Sequence, residues 1–177
     1  MVRCFVGVLI PESLKEKILD LQNYLSSFIK AKFVEKENLH LCFSFLGEKN
    51  EEEIDLIKKS LDEISKNFKT FEIKIKGIKL IPSEKFVRVI ALDTFDEKRI
   101  SESLRFEILN KIDGDSKPLH LTLCRVKSMD RKKFFENIKK IRDLDIGIFS
   151  LNSIQLIKSE LSKKGPVYEI IYESRLS

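Results

Sequence analysis

Residues 39–46 read Leu39-His40-Leu41-Cys42-Phe43-Ser44-Phe45-Leu46, and residues 119–125 read Leu119-His120-Leu121-Thr122-Leu123-Cys124-Arg125. Both stretches alternate apolar with small or polar side chains at a period of two, as half-buried strands do. Leu39, Leu41 and Phe43 share one face of the first strand, and Leu119, Leu121 and Leu123 share one face of the second. Those faces anchor a core. The opposite faces present His40, Cys42 and Ser44, then His120, Thr122 and Cys124. His40 and His120 are the only histidines in the chain, and they stand at equivalent places in two similar strands.

The surroundings of the two strands repeat as well. Residues 2–9 form an apolar, β-branched run, and Pro11 follows where a first helical turn tolerates proline. Leu14, Ile18, Leu21, Leu25 and Phe28 then recur at helical spacing, and Ile54, Ile57, Leu61, Ile64 and Phe68 do the same after the His40 strand. Phe71, Ile73 and Ile75 alternate with charged residues as a further half-buried strand. A similar order follows from residue 86: a strand over 86–92, a helix face at Ile100, Leu104 and Ile108, the His120 strand, and a helix marked by Phe134, Phe135, Ile138 and Ile141. Residues 146–157 and 167–172 read as closing strands. The expected fold is α+β: a bilobed duplication of a strand-helix-strand-helix-strand unit, with antiparallel sheets facing a central groove. The chain reads as a single domain with pseudo-symmetric halves of about residues 1–82 and 83–177, meeting at Pro82-Ser83.

Composition narrows the class. With 177 residues, 42% hydrophobic and 34% charged, the chain can bury a core without disulfides or metals and is neither disordered nor collagen-like. The longest apolar run, Phe5 to Ile10, is too short for a membrane span or a signal-peptide core. Three cysteines, Cys4, Cys42 and Cys124, cannot all pair, and reduced thiols fit a cytoplasmic protein. The net charge of +5 is a mild bias toward polyanionic partners. No Gly-x-x-x-x-Gly-Lys phosphate loop is present, which argues against an ATP-dependent ligase.

Two imidazoles on facing strands suit proton transfer at both ends of one displacement. With a pKa of about 6.5, one histidine can take a proton from water while the other gives one to a leaving oxygen. A hydroxyl two residues on, such as Thr122, can hydrogen-bond a non-bridging phosphate oxygen. A zinc site from the same histidines and cysteines is disfavoured, because His120 and Cys124 lie about 13 Å apart along an ideal strand. Arg125 has the wrong parity to face the groove unless a bulge or strand end turns it back. Phe45 shares the parity of Leu41 and Phe43 and reads as a core residue. Tyr168 is open between lining the groove and simple packing, and Lys163-Lys164 is open between an RNA contact and a solvated loop.

These motifs resemble the 2H phosphoesterase superfamily, with its repeated His-x-Thr/Ser-x, and within it the RNA 2′,3′-cyclic phosphodiesterases, also called the 2′-5′ RNA ligase family. The likeness spans Met1 to Glu12, Asn38 to Glu48, Pro118 to Lys127 and Ser159 to Tyr168. The resemblance implies opening of a 2′,3′-cyclic phosphate at an RNA end to leave a 2′-phosphate, with no metal or other cofactor. It also implies joining or splitting of 2′-5′ RNA linkages in vitro. Its partners would be RNAs with 2′,3′-cyclic phosphate or 2′-5′ linked ends, tRNA halves among them, met by a monomer that binds no membrane. It makes His40 the proton donor to the leaving 3′-oxygen, His120 the acceptor that activates water, Thr122 and Arg125 phosphate ligands, and Phe45 an aromatic near the nucleoside. Cys42 takes the phosphate-binding place usually held by Thr or Ser. Two other functions compete: a phosphodiesterase for small cyclic nucleotides such as ADP-ribose derivatives, and a noncatalytic RNA-binding module.

Overall fold

A computed structural model describes residues 1–177. Its elements in chain order are β1 (Val2–Leu9), α1 (Glu12–Ser26), β2 (Ile29–Phe33), β3 (His40–Lys49), α2 (Glu51–Ser65), β4 (Phe71–Ser83), β5 (Phe86–Phe95), α3 (Ile100–Ile112), β6 (His120–Met129), α4 (Arg131–Ile138), β7 (Asp145–Leu151), β8 (Ser153–Ser162) and β9 (Gly165–Arg175). Each apolar helical stripe is buried: Leu14, Ile18, Leu21 and Leu25 on α1, Ile54, Ile57, Leu61 and Ile64 on α2, Leu104 and Ile108 on α3, Phe134 and Ile138 on α4. Asn50 and Glu53 close a reciprocal capping box at the start of α2, satisfying two otherwise orphaned backbone donors.

All strand pairs are antiparallel, in the order β7-β4-β5-β6-β3-β1-β8-β9, with β2 added alongside β6. Four strands lie on either side of the β6–β3 junction. One lobe is β3-β1-β8-β9, covered by α2 and α3, and the other is β6-β5-β4-β7, covered by α1. Phe134 of α4 packs against Phe28 just beyond α1, at 6.2 Å between ring centroids. The two expected sheets are thus continuous, curled so that the lobes flank a groove. The sequence halves are also interleaved. β4, from the first half, pairs with β5 and β7, while β8, from the second, pairs with β1 and β9. Pro82 and Ser83 end β4 at its tight turn into β5.

Four features differ from the expectation drawn from sequence. β2 was not anticipated, and residues 146–157 form two strands, β7 and β8, that break at Asn152. Phe28 and Phe68 extend the helical stripes in sequence but lie beyond the ends of α1 and α2. The fourth difference concerns parity. β3 pairs with β1 as Gly7↔Cys42 and then Val6↔Ser44, so an extra residue enters β3 at Phe43. β6 pairs with β5 as Ala91↔Thr122 and then Ile90↔Cys124, so an extra residue enters β6 at Leu123. Both are β-bulges three residues after a histidine, and each reverses the facing of the residues that follow, up to a second register shift at Leu46 in β3 and at Lys127 in β6.

The carbonyls displaced by the two bulges find equivalent partners. Ser116 Oγ donates to the Phe43 carbonyl at 2.7 Å. Gln22 Nε2 donates to the Leu123 carbonyl at 3.0 Å, joined by the Val34 N–H at 2.9 Å. Buried carbonyls left unpaired would be costly, so these partners hold the bulges in place.

Candidate active site

β3 and β6 meet at one residue pair, Leu41 opposite Leu121, both fully buried. Antiparallel register around that pair sets His40 across from Thr122 and Cys42 across from His120. These four side chains form a rectangle on the groove face, with the leucines behind it in the core. Directly opposed Cβ atoms are about 5 Å apart and diagonal ones about 7–8 Å. The two histidines occupy one diagonal; the hydroxyl and the thiol occupy the other.

Both imidazoles are held in the same way. His40 Nδ1 lies 2.7 Å from the Asn38 carbonyl, and His120 Nδ1 lies 2.9 Å from the Pro118 carbonyl. A carbonyl only accepts, so each Nδ1 carries the hydrogen and each Nε2 is left to exchange a proton. His40 is further wedged between Phe5 and Tyr168, at 4.9 and 5.1 Å between ring centroids, with the tyrosine ring edge-on. Burial pushes the His40 pKa below the ordinary histidine value; the Asn38 carbonyl opposes this shift and the nearby His120 charge adds to it.

His40, Cys42, Phe45, Thr122, Arg125 and Tyr168 line one cavity of about 360 Å³. His120 sits beside it, at the Cys42 corner of the rectangle. Wider clefts of about 790 and 600 Å³ on the other lobe contain no histidine or cysteine. In the larger cleft, Lys74, Lys79 and Arg142 are already paired with Asp145, Asp93 and Glu84.

The bulges decide several placements. Phe45, read as a core residue, instead lies half-buried on the cavity wall with the Arg3 guanidinium over its ring at 5.2 Å. Arg125, at the same offset from His120, turns into the cavity by the equivalent bulge. Ser44 and Cys124, expected on the histidine face, are fully buried on the other side. Ser44 Oγ donates to the Asp113 carbonyl at 3.0 Å. Burial pushes the Cys124 thiol up to about 12.

Cys42 stays on the groove face. Burial, aided by the negative Asp115, raises its pKa to about 12, so it is a neutral thiol near pH 7. No trio of histidine, cysteine, aspartate or glutamate is placed to hold a metal ion. Lys163 and Lys164 are exposed in the β8–β9 turn, outside the cavity wall.

Sequence reasoning missed Phe5, Arg3, Lys32 and Asn38 at the cavity. Phe5 hid inside an apolar run. Asn38 is buried and joins two parts of the site: its carbonyl holds His40, and its Nδ2 donates to the Pro166 carbonyl at 2.7 Å, fixing the start of β9, the strand that carries Tyr168. Its place just before the first histidine was its only signal.

The family model for LigT-like phosphoesterases matches residues 8–91. An RNA 2′,3′-cyclic phosphodiesterase of Methanocaldococcus jannaschii is 34% identical over 97% of this chain and 99% of its own. One from Aquifex aeolicus is 34% identical over 98% and 96%. The crystal structure of TT0787 of Thermus thermophilus superposes with a TM-score of 0.77 at 26% identity, over 98% of this chain and 97% of that one. No helix is long and apolar enough to cross a membrane. With a near full-length match to relatives of this type and the same curled fold, the chain belongs to the LigT-like phosphoesterase family.

Proposed function

We propose that this protein hydrolyses 2′,3′-cyclic phosphate ends of RNA to 2′-phosphates, using two histidines and no metal. The observation that carries the reading is the diagonal pair of imidazoles, each with Nδ1 tied to a carbonyl and Nε2 free. In-line displacement at phosphorus needs one proton removed on the entering side and one delivered on the leaving side, and a diagonal pair flanks a phosphate in that way. The proton balance is closed within the pair. His120 Nε2 takes a proton from water as its oxygen bonds to phosphorus; the P–O3′ bond breaks, and protonated His40 Nε2 gives its proton to the 3′-oxygen.

The depressed pKa of His40 leaves it neutral in the empty groove at neutral pH. A phosphodiester charge beside it favours the imidazolium, so substrate binding counteracts the effect of burial. The shift also makes protonated His40 a stronger acid toward the leaving oxygen. Thr122 donates a hydrogen bond to a non-bridging oxygen and Arg125 offsets the phosphate charge. The neutral Cys42 thiol adds at most a weak donor. Phe45 and Tyr168 flank the nucleoside. Ligation or splitting of 2′-5′ linkages runs the same proton transfers with a 5′-hydroxyl in place of water, and tRNA halves are among the ends that qualify. The reading includes a cytoplasmic monomer whose pseudo-symmetric halves, about 1–82 and 83–177, form one domain.

The test is turnover of an RNA oligonucleotide ending in a 2′,3′-cyclic phosphate, in the presence of chelator, with the product resolved as 2′- or 3′-phosphate. The expected product is the 2′-phosphate at undiminished rate. Absence of turnover, a 3′-phosphate product, or activity restored only by added metal would overturn the mechanism.

A further inference from the structure

His120 has a carboxylate on the side away from Cys42. β5 pairs with β6 as Asp93↔His120, Leu92↔Leu121 and Ala91↔Thr122, just as β1 pairs with β3 as Leu9↔His40, Val8↔Leu41 and Gly7↔Cys42. Leu92 and Leu121 are fully buried in the core, so Asp93, Ala91, His120 and Thr122 share the groove face. His120 therefore stands between Cys42 of β3 and Asp93 of β5, and Asp93 occupies the place that Leu9 holds beside His40. Farther along the same strands, Val89 opposite Arg125 takes the place of Phe5 opposite Phe45. His40 is thus enclosed by the Phe5 and Tyr168 rings, whereas the β5 side of His120 offers a carboxylate and small aliphatic side chains.

The Asp93 carboxylate is held in place with one oxygen to spare. Its Oδ1 accepts from the Thr94 N–H at 3.0 Å and lies 3.9 Å from Lys79 Nζ, while Oδ2 accepts no hydrogen bond from the protein. The side chain is 40% exposed, so water reaches it. Thr94 Oγ1 donates to the Leu119 carbonyl at 3.4 Å, which ties β5 to the residue before His120. Directly opposed Cβ atoms are about 5 Å apart, and one water can bridge two acceptors about 4.5 Å apart. Asp115, the other carboxylate near this corner, pairs instead with Phe45, three residues beyond Cys42.

We propose that Asp93 receives the attacking water and selects it over an alcohol. The proposal rests on the reading of His120 as proton acceptor. As the water oxygen bonds to phosphorus and the P–O3′ bond breaks, one water proton passes to His120 Nε2. The second stays on that oxygen, hydrogen-bonded to Asp93 Oδ2, and leaves with the new 2′-phosphate; Asp93 itself gains no proton. Lys79, beside Oδ1, offsets the repulsion between carboxylate and phosphate. An alcohol gives its single hydroxyl proton to His120 and presents carbon to Asp93, which leaves the carboxylate without a donor. The same side chain thus favours hydrolysis over transfer to a 5′-hydroxyl.

The experiment measures initial rates on an RNA oligonucleotide ending in a 2′,3′-cyclic phosphate in aqueous methanol, with the 2′-phosphate and its methyl ester resolved by mass. Wild type is compared with Asp93→Leu, which copies the residue beside His40, and with Asp93→Asn and Lys79→Met. Asp93→Leu should lower kcat for hydrolysis by about 3- to 30-fold, the size of one partly exposed hydrogen bond to a charged group, with little change in KM. The ratio of methyl ester to 2′-phosphate should rise by a similar factor. Asp93→Asn, which keeps a carbonyl acceptor, should fall between, and Lys79→Met should keep the wild-type ratio. A ratio unchanged in folded Asp93→Leu overturns the proposal, as does a shift of equal size in Lys79→Met, which would trace the effect to the ion pair. If Asp93→Leu does not fold, an unchanged ratio in Asp93→Asn is the overturning result. A wild type that leaves the cyclic phosphate intact sinks the hydrolytic reading and this proposal with it; a wild type that hydrolyses it while the variants keep its ratio refutes the role of Asp93 alone.

Discussion

Removing the hydroxyl of Thr122 should damage activity far more than removing the thiol of Cys42, although the two occupy equivalent corners of the rectangle. Thr122 can donate a full O–H hydrogen bond to a charged phosphate oxygen, an interaction of about 1.5–3 kcal/mol. The corresponding loss for Thr122→Val is about 10- to 150-fold in kcat/KM, since about 1.4 kcal/mol is tenfold. Cys42 is held near a pKa of about 12, so at pH 7 it bears no charge to repel phosphate and offers only a weak S–H donor. Cys42→Ala should therefore cost no more than about threefold, a fraction of a normal hydrogen bond. Cys42→Thr should be neutral or improve turnover, because it gives the second corner a hydroxyl. Steady-state kinetics of the three variants on one cyclic-phosphate RNA decides the matter. If Cys42→Ala is the more damaging change, or Cys42→Thr is inactive while folded, the thiol has a role that hydrogen-bond strength does not explain.

His40→Ala and His120→Ala should each lower kcat by about 10²- to 10⁴-fold, and near wild-type turnover in either would remove that residue from the mechanism. In ligand-free protein, NMR titration should place His40 below the ordinary histidine value, and His120→Gln should raise it by removing the neighbouring charge; a His40 pKa at or above the ordinary value contradicts the burial argument. By linkage, the unfolded state binds the His40 proton more readily, so this group's contribution to stability is present above about pH 6.5 and is lost as pH falls toward the lower folded pKa. Urea midpoints measured across that range, with His40→Gln as the control, report the effect. Gly7 lies on β1 opposite Cys42, and a Cβ there would stand 2.3 Å from the Leu41 carbonyl oxygen. Gly7→Ala should thus displace β3 between His40 and Cys42, destabilising the fold by about 1–3 kcal/mol and lowering kcat; an unchanged melting temperature and kcat would show that the strands can separate freely.

Much of this architecture was legible from two periodicities. The stripes Leu14–Leu25 and Ile54–Ile64 sit on helices, and Leu41 and Leu121 anchor the two strands that carry the histidines. The bulges were not legible. An inserted residue has no marker of its own in Phe43-Ser44 or Leu123-Cys124, and what stabilises each bulge comes from far away in sequence, Ser116 for one and Gln22 for the other. Period-two reasoning therefore placed Ser44 and Cys124 in the groove and Phe45 in the core. β2 escaped for a related reason. Ile29-Lys30-Ala31-Lys32-Phe33 is a short alternating run directly after a helix, and only pairing with β6 makes it a strand. The interleaving of the halves is likewise a tertiary choice that no local pattern encodes.

That interleaving also explains why the two bulges matched. β3 and β6 share a backbone pairing only at Leu41–Leu121, so each needs another partner along the rest of its length. The segment preceding β6 supplies one for β3: Phe45 and Asp115 exchange backbone hydrogen bonds at 2.8 and 2.9 Å. The segment preceding β3 supplies one for β6, in the form of β2. Each histidine strand is thus flanked by the approach to the other, which is the pattern a pseudo-two-fold axis through Leu41 and Leu121 requires. A bulge on one strand alone would turn its fifth residue into the groove and leave the other facing the core. With both present, Phe45 and Arg125 enter from opposite lobes at the same offset from His40 and His120. The symmetric backbone then carries an asymmetric site: the aromatic ring lies on the His40 strand, and the cation and the hydroxyl lie on the His120 strand. A cyclic nucleotide end is itself asymmetric, with a base on one side of the phosphate and an open face for water on the other. On the proposed mechanism, the difference between Phe45 and Arg125 gives this near-symmetric groove a direction, and with it a choice of which histidine faces the leaving oxygen.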